Sequence, residues 1–331
     1  MAGGAGETTL SPGRIVFVAA NPSVDRLYEV DRLTPGAIHR PGALAVVPGG
    51  KGLNAARAAV HLGGRVTVIG LLAGRAGDWI REGIAARGID ARWAAAHGET
   101  RTCVSVLDRA TGGMTEIYER GEPVDEMAWE SLERLIAGEL ARGDVACVTL
   151  SGSLPPGAPE DGFGRIADLV RSAGAASGPI AVLADTYGTA LPPVLHRRPE
   201  LVKVNADEAA GASGLAVTDA ESAEPAARML LGAGAGGVVV TLGRRGAVVA
   251  TPSRFARLLP PEVDGIYPVG SGDAFLAGMA VALARGDDLV EAARLGLAAG
   301  TANALMLGAG ELDPMAIGPL LQGISVVERS A

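Results

Sequence analysis

Short runs rich in β-branched residues alternate with longer Ala- and Leu-rich stretches along most of the chain. The runs at 14–19, 66–71, 145–150, 180–184, 201–204, 238–242 and 247–250 predict strands. The stretches at 54–62, 78–86, 127–141, 162–173, 223–231, 274–284 and 289–305 predict helices. Apolar strands separated by helices predict an α/β fold whose mostly parallel sheet is covered on both faces. In such sheets ligands bind beyond the carboxyl ends of the strands.

Two segments break the alternation. Residues 27–47 and 102–119 hold strand-like stretches and turn residues without a helix between them. The second, TCVSVLDRATGGMTEIYE, reads as a hairpin closed by Thr111-Gly112-Gly113. Together they predict a small sheet inserted at about 27–47 and 100–120, used as a lid over a site or as a dimer interface. Residues 14–331 are otherwise read as one main domain, preceded by a flexible tail over 1–13.

Composition narrows the class. Of 331 residues, 48% are hydrophobic and 20% charged, a globular balance; with 3% aromatics, the core must come from Ala, Val, Leu and Ile. The net charge of −8 argues against a general nucleic-acid surface, so an anionic ligand needs a local basic cluster. Cys103 and Cys147 lie in apolar surroundings without metal-ligand spacing and read as reduced core residues. The N-terminus lacks the basic and apolar regions of a signal peptide, and no apolar run reaches the ~18 residues of a membrane span. These features predict a cytoplasmic protein.

Candidate chemistry concentrates at 267–285, YPVGSGDAFLAGMAVALAR, where Gly270-Ser271-Gly272 leads through Asp273 into an apolar helical run. Glycine tolerates backbone angles that aim successive N–H groups at one point, and the first helical turn adds unpaired donors and positive partial charge. Asp273 stands where it would take a proton from a hydroxyl while those donors stabilise developing negative charge. The layout suits phosphoryl transfer to an alcohol. Taken alone, it also reads as a turn with a capping Asp.

Other segments add candidates of the same double character. Asn21-Pro22-Ser23-Val24-Asp25 follows the first strand, so Asp25 would accept from a ligand hydroxyl or close an Asx turn. Pro48-Gly49-Gly50-Lys51-Gly52-Leu53-Asn54 runs into a helix, with glycines for close approach, a cation and an amide. It matches neither the Walker A spacing nor the dinucleotide GxGxxG pattern. Arg101 offers a planar fork suited to phosphate oxygens. Asn205 and Glu208 have capping-box spacing; alternatively they help hold a hydrated magnesium near nucleotide phosphates. The strand at 238–242 ends in a glycine-bracketed turn, which is a hairpin or the floor of a nucleotide site with Thr241 and Gly243 toward the phosphates.

In order and spacing these segments resemble the ribokinase-like (PfkB) family of carbohydrate kinases over about residues 14–320, through the paired signals GGKGLNAARA and VGSGDAFLAG. NPSVD, GGKGLN, SGSLPPG at 151–157 and TRTCVSV look most like its hexose-phosphate kinase branch, the fructose-1-phosphate and tagatose-6-phosphate kinases. The resemblance implies a three-layer α/β/α fold with a small β-sheet lid that commonly mediates homodimers. It also implies ATP and Mg2+ as cofactors and a phosphorylated ketohexose as acceptor. By the same resemblance Asp273 is the general base, and Gly270, Ser271 and Gly272 form the anion hole. Asp25, Gly49, Gly50, Lys51 and Asn54 bind sugar, and Arg101 with Ser153 grips the sugar's phosphate. Lys203, Asn205, Glu208, Thr241, Gly243, Gly246 and Asn303 lie on the nucleotide side, with Glu208 reaching magnesium through water. Two departures stand out: the segment 36–40 lacks the lysine of the minor 6-phosphofructokinase, and Tyr187 replaces a usually small residue. The alternatives are a kinase of an unphosphorylated sugar or nucleoside, or a catalytically silent sugar-phosphate sensor. A dehydrogenase is disfavoured because no GxGxxG turn follows the first strand.

Overall fold

The computed structural model describes residues 13–330, so the tail expected over 1–13 lies, apart from Gly13, outside the described residues. The first half of the chain runs β1 (Arg14–Ala19), β2 (Ser23–Val30), β3 (Ala43–Gly49), α1 (Lys51–His61), β4 (Val66–Leu72), α2 (Gly74–Ala86), β5 (Asp90–Ala95), β6 (Thr102–Asp108), β7 (Gly113–Tyr118), α3 (Glu126–Leu140) and β8 (Val145–Ser151). Then follow α4 (Gly162–Ser177), β9 (Ala181–Asp185), α5 (Leu191–Leu195), β10 (Leu201–Asn205), α6 (Ala206–Ser213), α7 (Ala220–Gly232), β11 (Val238–Thr241), β12 (Ala247–Ala250), β13 (Arg254–Leu259), α8 (Ser271–Arg285), α9 (Leu289–Ala304), α10 (Pro314–Gly323) and β14 (Ser325–Ser330).

Ten strands form one sheet in the order β14-β13-β12-β11-β10-β9-β8-β1-β4-β5. Every pair from β11 to β5 is parallel, while β12, β13 and β14 close the other edge antiparallel. Alternation along a strand sends successive side chains to opposite faces. In β1, Val16 and Val18 face a core completed by Trp129, Phe163, Val194 and Ala223, from α3, α4, α5 and α7. Ile15 and Phe17 face the other core, with Leu53, Ile80, Ala277 and Ala299 from α1, α2, α8 and α9. The result is three layers, helix on sheet on helix.

Small residues let α8 and α9 approach closely. A Cβ on Gly278 would fall 2.7 Å from the Gly296 Cα. The helix that carries Asp273 is thereby seated without bulky aromatic packing.

The irregular segments form a separate four-stranded sheet, ordered β3-β2-β6-β7. β2 pairs antiparallel with β3 and parallel with β6, and β6 pairs antiparallel with β7 from Cys103↔Tyr118 to Asp108↔Gly113. The sheet starts at Ser23 because Val24 already pairs with both Pro48 and Thr102. Hence Asp25 sits within a strand rather than in the loop expected after β1. Cys103 and Cys147 are free and buried. Among the described residues, no helix is long and apolar enough to cross a membrane.

Candidate functional site

The site forms where the carboxyl ends of β1, β8, β9 and β10 meet the start of α1, the start of α8 and the small sheet. Gly50 has φ +86, a left-handed value that only glycine adopts without strain. It turns the chain from β3 into α1. Gly49 is required for another reason: a Cβ there would fall 2.0 Å from the Asp25 Cγ. Asp25 is thus packed against bare backbone and accepts from the Ser23 hydroxyl at 2.5 Å, the Gly50 N–H at 3.2 Å and the Asn54 amide at 3.4 Å.

The same Asn54 amide donates to Asp273 Oδ2 at 2.9 Å, so one side chain joins the two carboxylates. Asp273 lies in the first turn of α8 and is 7% exposed. Burial pushes its carboxyl up to about 7, with the Asp185 charge adding to the rise; Lys51, the Asn54 hydrogen bond and Lys203 oppose it. A carboxyl poised near neutrality is suited to take and return a proton.

Gly270 caps α8 in the left-handed region at φ +84, and Ala309 packs so closely behind it that a Cβ would come 2.6 Å from the Ala309 Cα. The Ser271 N–H is spent on Pro268 O at 3.1 Å, and the Ala274 N–H on Gly270 O at 2.8 Å. Between these two bonds the N–H groups of Gly272 and Asp273 have no partner among the described residues, as expected of a first helical turn. Beside them the buried Ser271 hydroxyl has no partner among the described residues. Gly272 also leaves room for Lys203: a Cβ there would sit 2.9 Å from its ammonium.

Two lysines and two carboxylates fill the centre. Lys51 Nζ lies 2.9 Å from Asp185 Oδ1 and 3.0 Å from Glu208 Oε1, and Lys203 Nζ lies 2.8 Å from Asp185 Oδ2. Burial by itself would lower the Lys51 pKa, but Asp185, Glu208 and Asp273 outweigh it and hold the ammonium above its ordinary value. Burial likewise would raise Asp185, yet Lys203 and Lys51 hold it below the usual carboxylate range. The Tyr187 ring stands 5.3 Å from the Lys51 ammonium, in cation–π range.

Toward β11, Asn205 caps α6 in a full capping box. Its Oδ1 accepts from the Glu208 N–H at 2.8 Å, and Glu208 Oε2 accepts from the Asn205 N–H at 2.9 Å. Thr241 lies beside Asn205 in register, with its hydroxyl 3.4 Å from Val204 O. Gly243 borders open space, whereas Gly246 answers to packing, since a Cβ there would strike Leu258 O at 1.9 Å.

Arg101 and Ser153 meet through Asn21, whose amide donates to the Ser153 hydroxyl at 3.3 Å and whose carbonyl accepts from Arg101 Nη2 at 3.0 Å. Arg101 Nη1 donates to Glu119 O at 3.0 Å, and its buried Nε has no partner among the described residues. Asn303 is not brought to the cleft. It is fully buried behind the Gly270–Gly272 turn, donating to Val269 O at 2.9 Å and accepting from the Gly310 N–H at 2.7 Å. Sequence reasoning assigned no role to Asp185, Arg57 or Glu311. The one available signal was an acidic residue ending the apolar run AVLAD.

Among the described residues, no three His, Cys, Asp or Glu side chains converge on a metal cage. Magnesium does not require one, because it keeps several waters and takes one or two carboxylates beside substrate phosphates. The Glu208 carboxylate at the cleft, with the Asn205 amide beside it, fits that need.

Residues 18–315 match the model of the pfkB family carbohydrate kinases. A 1-phosphofructokinase of Rhodobacter capsulatus is 34% identical over 302 residues, covering 91% of this chain and 92% of the relative. A tagatose-6-phosphate kinase of Staphylococcus epidermidis is 29% identical over 317 residues, covering 95% and 99%. The crystal structure of phosphofructokinase-2 from Escherichia coli in complex with fructose-6-phosphate superposes with a TM-score of 0.80 at 28% identity, covering 94% of this chain and 98% of that one. The fold is accordingly ribokinase-like, and the chain belongs to the pfkB family of carbohydrate kinases.

Proposed function

We propose that the protein transfers the γ-phosphoryl group of ATP to a hydroxyl of a phosphorylated ketohexose, of the fructose 1-phosphate or tagatose 6-phosphate type. One observation carries this reading: Asp273, buried in the first turn of α8 and pushed up to about 7, is linked through Asn54 to Asp25 on the sugar side. The acceptor hydroxyl would be oriented by Asp25 and the Gly49-Gly50 backbone. Its proton would pass to Asp273 as the oxygen attacks phosphorus in line. The free N–H groups of Gly272 and Asp273 and the Ser271 hydroxyl would then meet the charge on the transferring group.

Lys51 and Lys203 would draw phosphate oxygens toward the same point, and Arg101 with Ser153 would hold the sugar's own phosphate. Glu208, through water, and Asn205 would hold magnesium, which when bound neutralises phosphate charge. Thr241 and Gly243 would floor the nucleotide site, with Gly246 shaping their turn.

The small sheet would close over the sugar as a lid. Its outer face carries Leu44 and Ile117, which are 48% and 66% exposed, with Val46 and Val104 on the same face by register. Such a patch fits a second copy of the chain. A cytoplasmic location, where ATP is plentiful, completes the reading.

A second reading is favoured by Arg101, whose guanidinium already serves two main-chain carbonyls. Were it purely structural, the acceptor would be an unphosphorylated sugar. ADP release with fructose 1-phosphate, tagatose 6-phosphate, fructose 6-phosphate, ribose, free fructose and adenosine separates the readings. Turnover confined to a phosphorylated ketose supports the proposal, and turnover only with an unphosphorylated acceptor overturns the substrate assignment. Silence throughout favours a sugar-phosphate sensor.

A further inference from the structure

Among the described residues Arg57 is, after Trp129, the largest fully buried side chain, at 1% exposure. It lies one turn past Asn54 on α1, beneath the site. Its Nη1 donates to Pro48 O, just ahead of Gly49-Gly50, and its Nη2 donates to Ala309 O. Nη2 also reaches Asn54 Oδ1 at 3.1 Å, and Nε reaches Glu311 Oε1 at 3.3 Å. Glu311 is held in turn by Arg87 at 3.1 Å and His61 at 3.3 Å.

A guanidinium offers donors only. The Asn54 atom facing it must therefore be the amide oxygen, which turns the NH2 end toward Asp273 and Asp25. Without the guanidinium, that constraint on the two ends of the amide is gone. The Ala309 contact matters equally. Ala309 and Gly310 form a wedge between the anion turn and α1: a Cβ on Gly270 would fall 2.6 Å from Ala309 Cα, and one on Gly310 would fall 2.4 Å from Asn54 O. Arg57 thus grips the sugar loop, the amide between the two carboxylates and the backing of the anion turn with one rigid fork.

We infer that Arg57 is a positioning residue for phosphoryl transfer, acting through Asn54 and the 309–310 wedge. The inference rests on the reading of Asp273 as the base. The charged and polar groups that face Asp273 are Lys51 and Asn54 from α1, Asp185 from the end of β9 and Lys203 from β10. Only Asn54 among them takes its orientation from Arg57. Loss of Arg57 therefore removes one anion-stabilising donor from Asp273 and leaves both lysines in place.

The test is a double-mutant cycle of Arg57→Met and Asn54→Ala, with kcat and KM followed across pH. Each single change should lower kcat by roughly 10–100-fold, the scale of a misplaced reacting group. Each should also move the acid limb of the profile to higher pH. The double variant should be within a few-fold of Asn54→Ala, because the two residues act as one unit. Arg57→Lys, which keeps a charge and some donors, should recover part of kcat. If Arg57→Met does not fold, Arg57→Lys with Asn54→Ala makes the same cycle.

Multiplicative losses, or an unmoved acid limb with activity falling only as the folded fraction falls, would overturn the inference. Asp273→Asn is the control for the reading beneath it. If that variant is inactive while the Arg57 limb stays put, the inference fails alone. If that variant turns over normally, the base assignment fails and takes the inference with it.

Discussion

Asp273→Asn is expected to cripple the enzyme and stabilise the fold at the same time. Asn keeps the size of Asp273 and can still accept from the Asn54 amide, so the substitution removes a charge more than a shape. Turnover should fall about 10²–10⁴-fold, the usual worth of a positioned base, with a smaller change in sugar affinity. Stability should move the other way. Burial raises the carboxyl from 3.8 to about 7, and at about 1.4 kcal/mol per pH unit that rise is worth at most about 4 kcal/mol.

The sign follows from the proton balance. Below about pH 4 folded and unfolded chains both hold the proton, and the acid costs nothing. Between the unfolded value and about 7 the unfolded chain releases the proton and the folded chain keeps it, so stability falls as pH rises. Above that the penalty is constant. The Asn variant should accordingly match the parent in acid, exceed it increasingly up to about pH 7, and keep a constant margin above that. Denaturant unfolding at several pH values, alongside ADP release, measures both effects. A stability difference that does not vary with pH would refute the electrostatic account, and turnover within tenfold of the parent would refute the role.

Three further outcomes follow from the geometry. Gly270→Ala should cost about 2–5 kcal/mol, combining backbone strain at φ +84 with a Cβ 2.6 Å from Ala309 Cα, and a denaturation midpoint equal to the parent's would contradict it. Lys51→Met should leave the buried Asp185 to Lys203 alone and strip Asp273 of a nearby cation, so the acid limb of the rate profile should rise; an unmoved limb would mean Lys51 does not act on Asp273. Ile117→Asp, on the outer face of the small sheet, should shift sedimentation from dimer to monomer, and an unchanged mass would remove that face from consideration.

Local pattern made the central strands readable because each is mostly apolar and bounded by turns. β1 and β12 have the bounds that pattern predicts, and α1 and α8 extend theirs by one turn or less at the N-terminal end. β5, β13 and β14 escaped because they lie toward the edges of the sheet, where exposed Arg, Asp and Glu break up the apolar run. The glycine turns were legible as places of close approach, but not what approaches. Gly49 yields to a carboxylate, Gly246 to a carbonyl and Gly270 to a neighbouring loop.

Arg57 was invisible for a different reason. Within AARAAVH it looks like any helix arginine, and only the fold reveals that its face is turned inward. Asp185 carries no motif of its own, and its importance arises from two lysines 134 and 18 residues away in the chain.

Those two lysines come from different halves of the site. Lys51 opens α1, while Lys203 stands on β10; in the proposed function they would serve the sugar and nucleotide sides in turn. Asp185, with 0% exposure, gives one oxygen to each. A buried carboxylate held by two ammonium groups keeps its charge, so it fixes both cations in space before any phosphate arrives. Around this carboxylate Asp25, Glu208 and Asp273 share the cleft with Lys51, Lys203 and Arg101. In the proposed function, an anionic substrate that drew Lys51 away would loosen its hold on Glu208 at 3.0 Å, freeing a carboxylate on the nucleotide side. Binding at one half would then be felt at the other through these shared ion pairs. By linkage, the effect of the sugar on nucleotide affinity would then equal the effect of the nucleotide on sugar affinity, and unequal effects would refute this coupling.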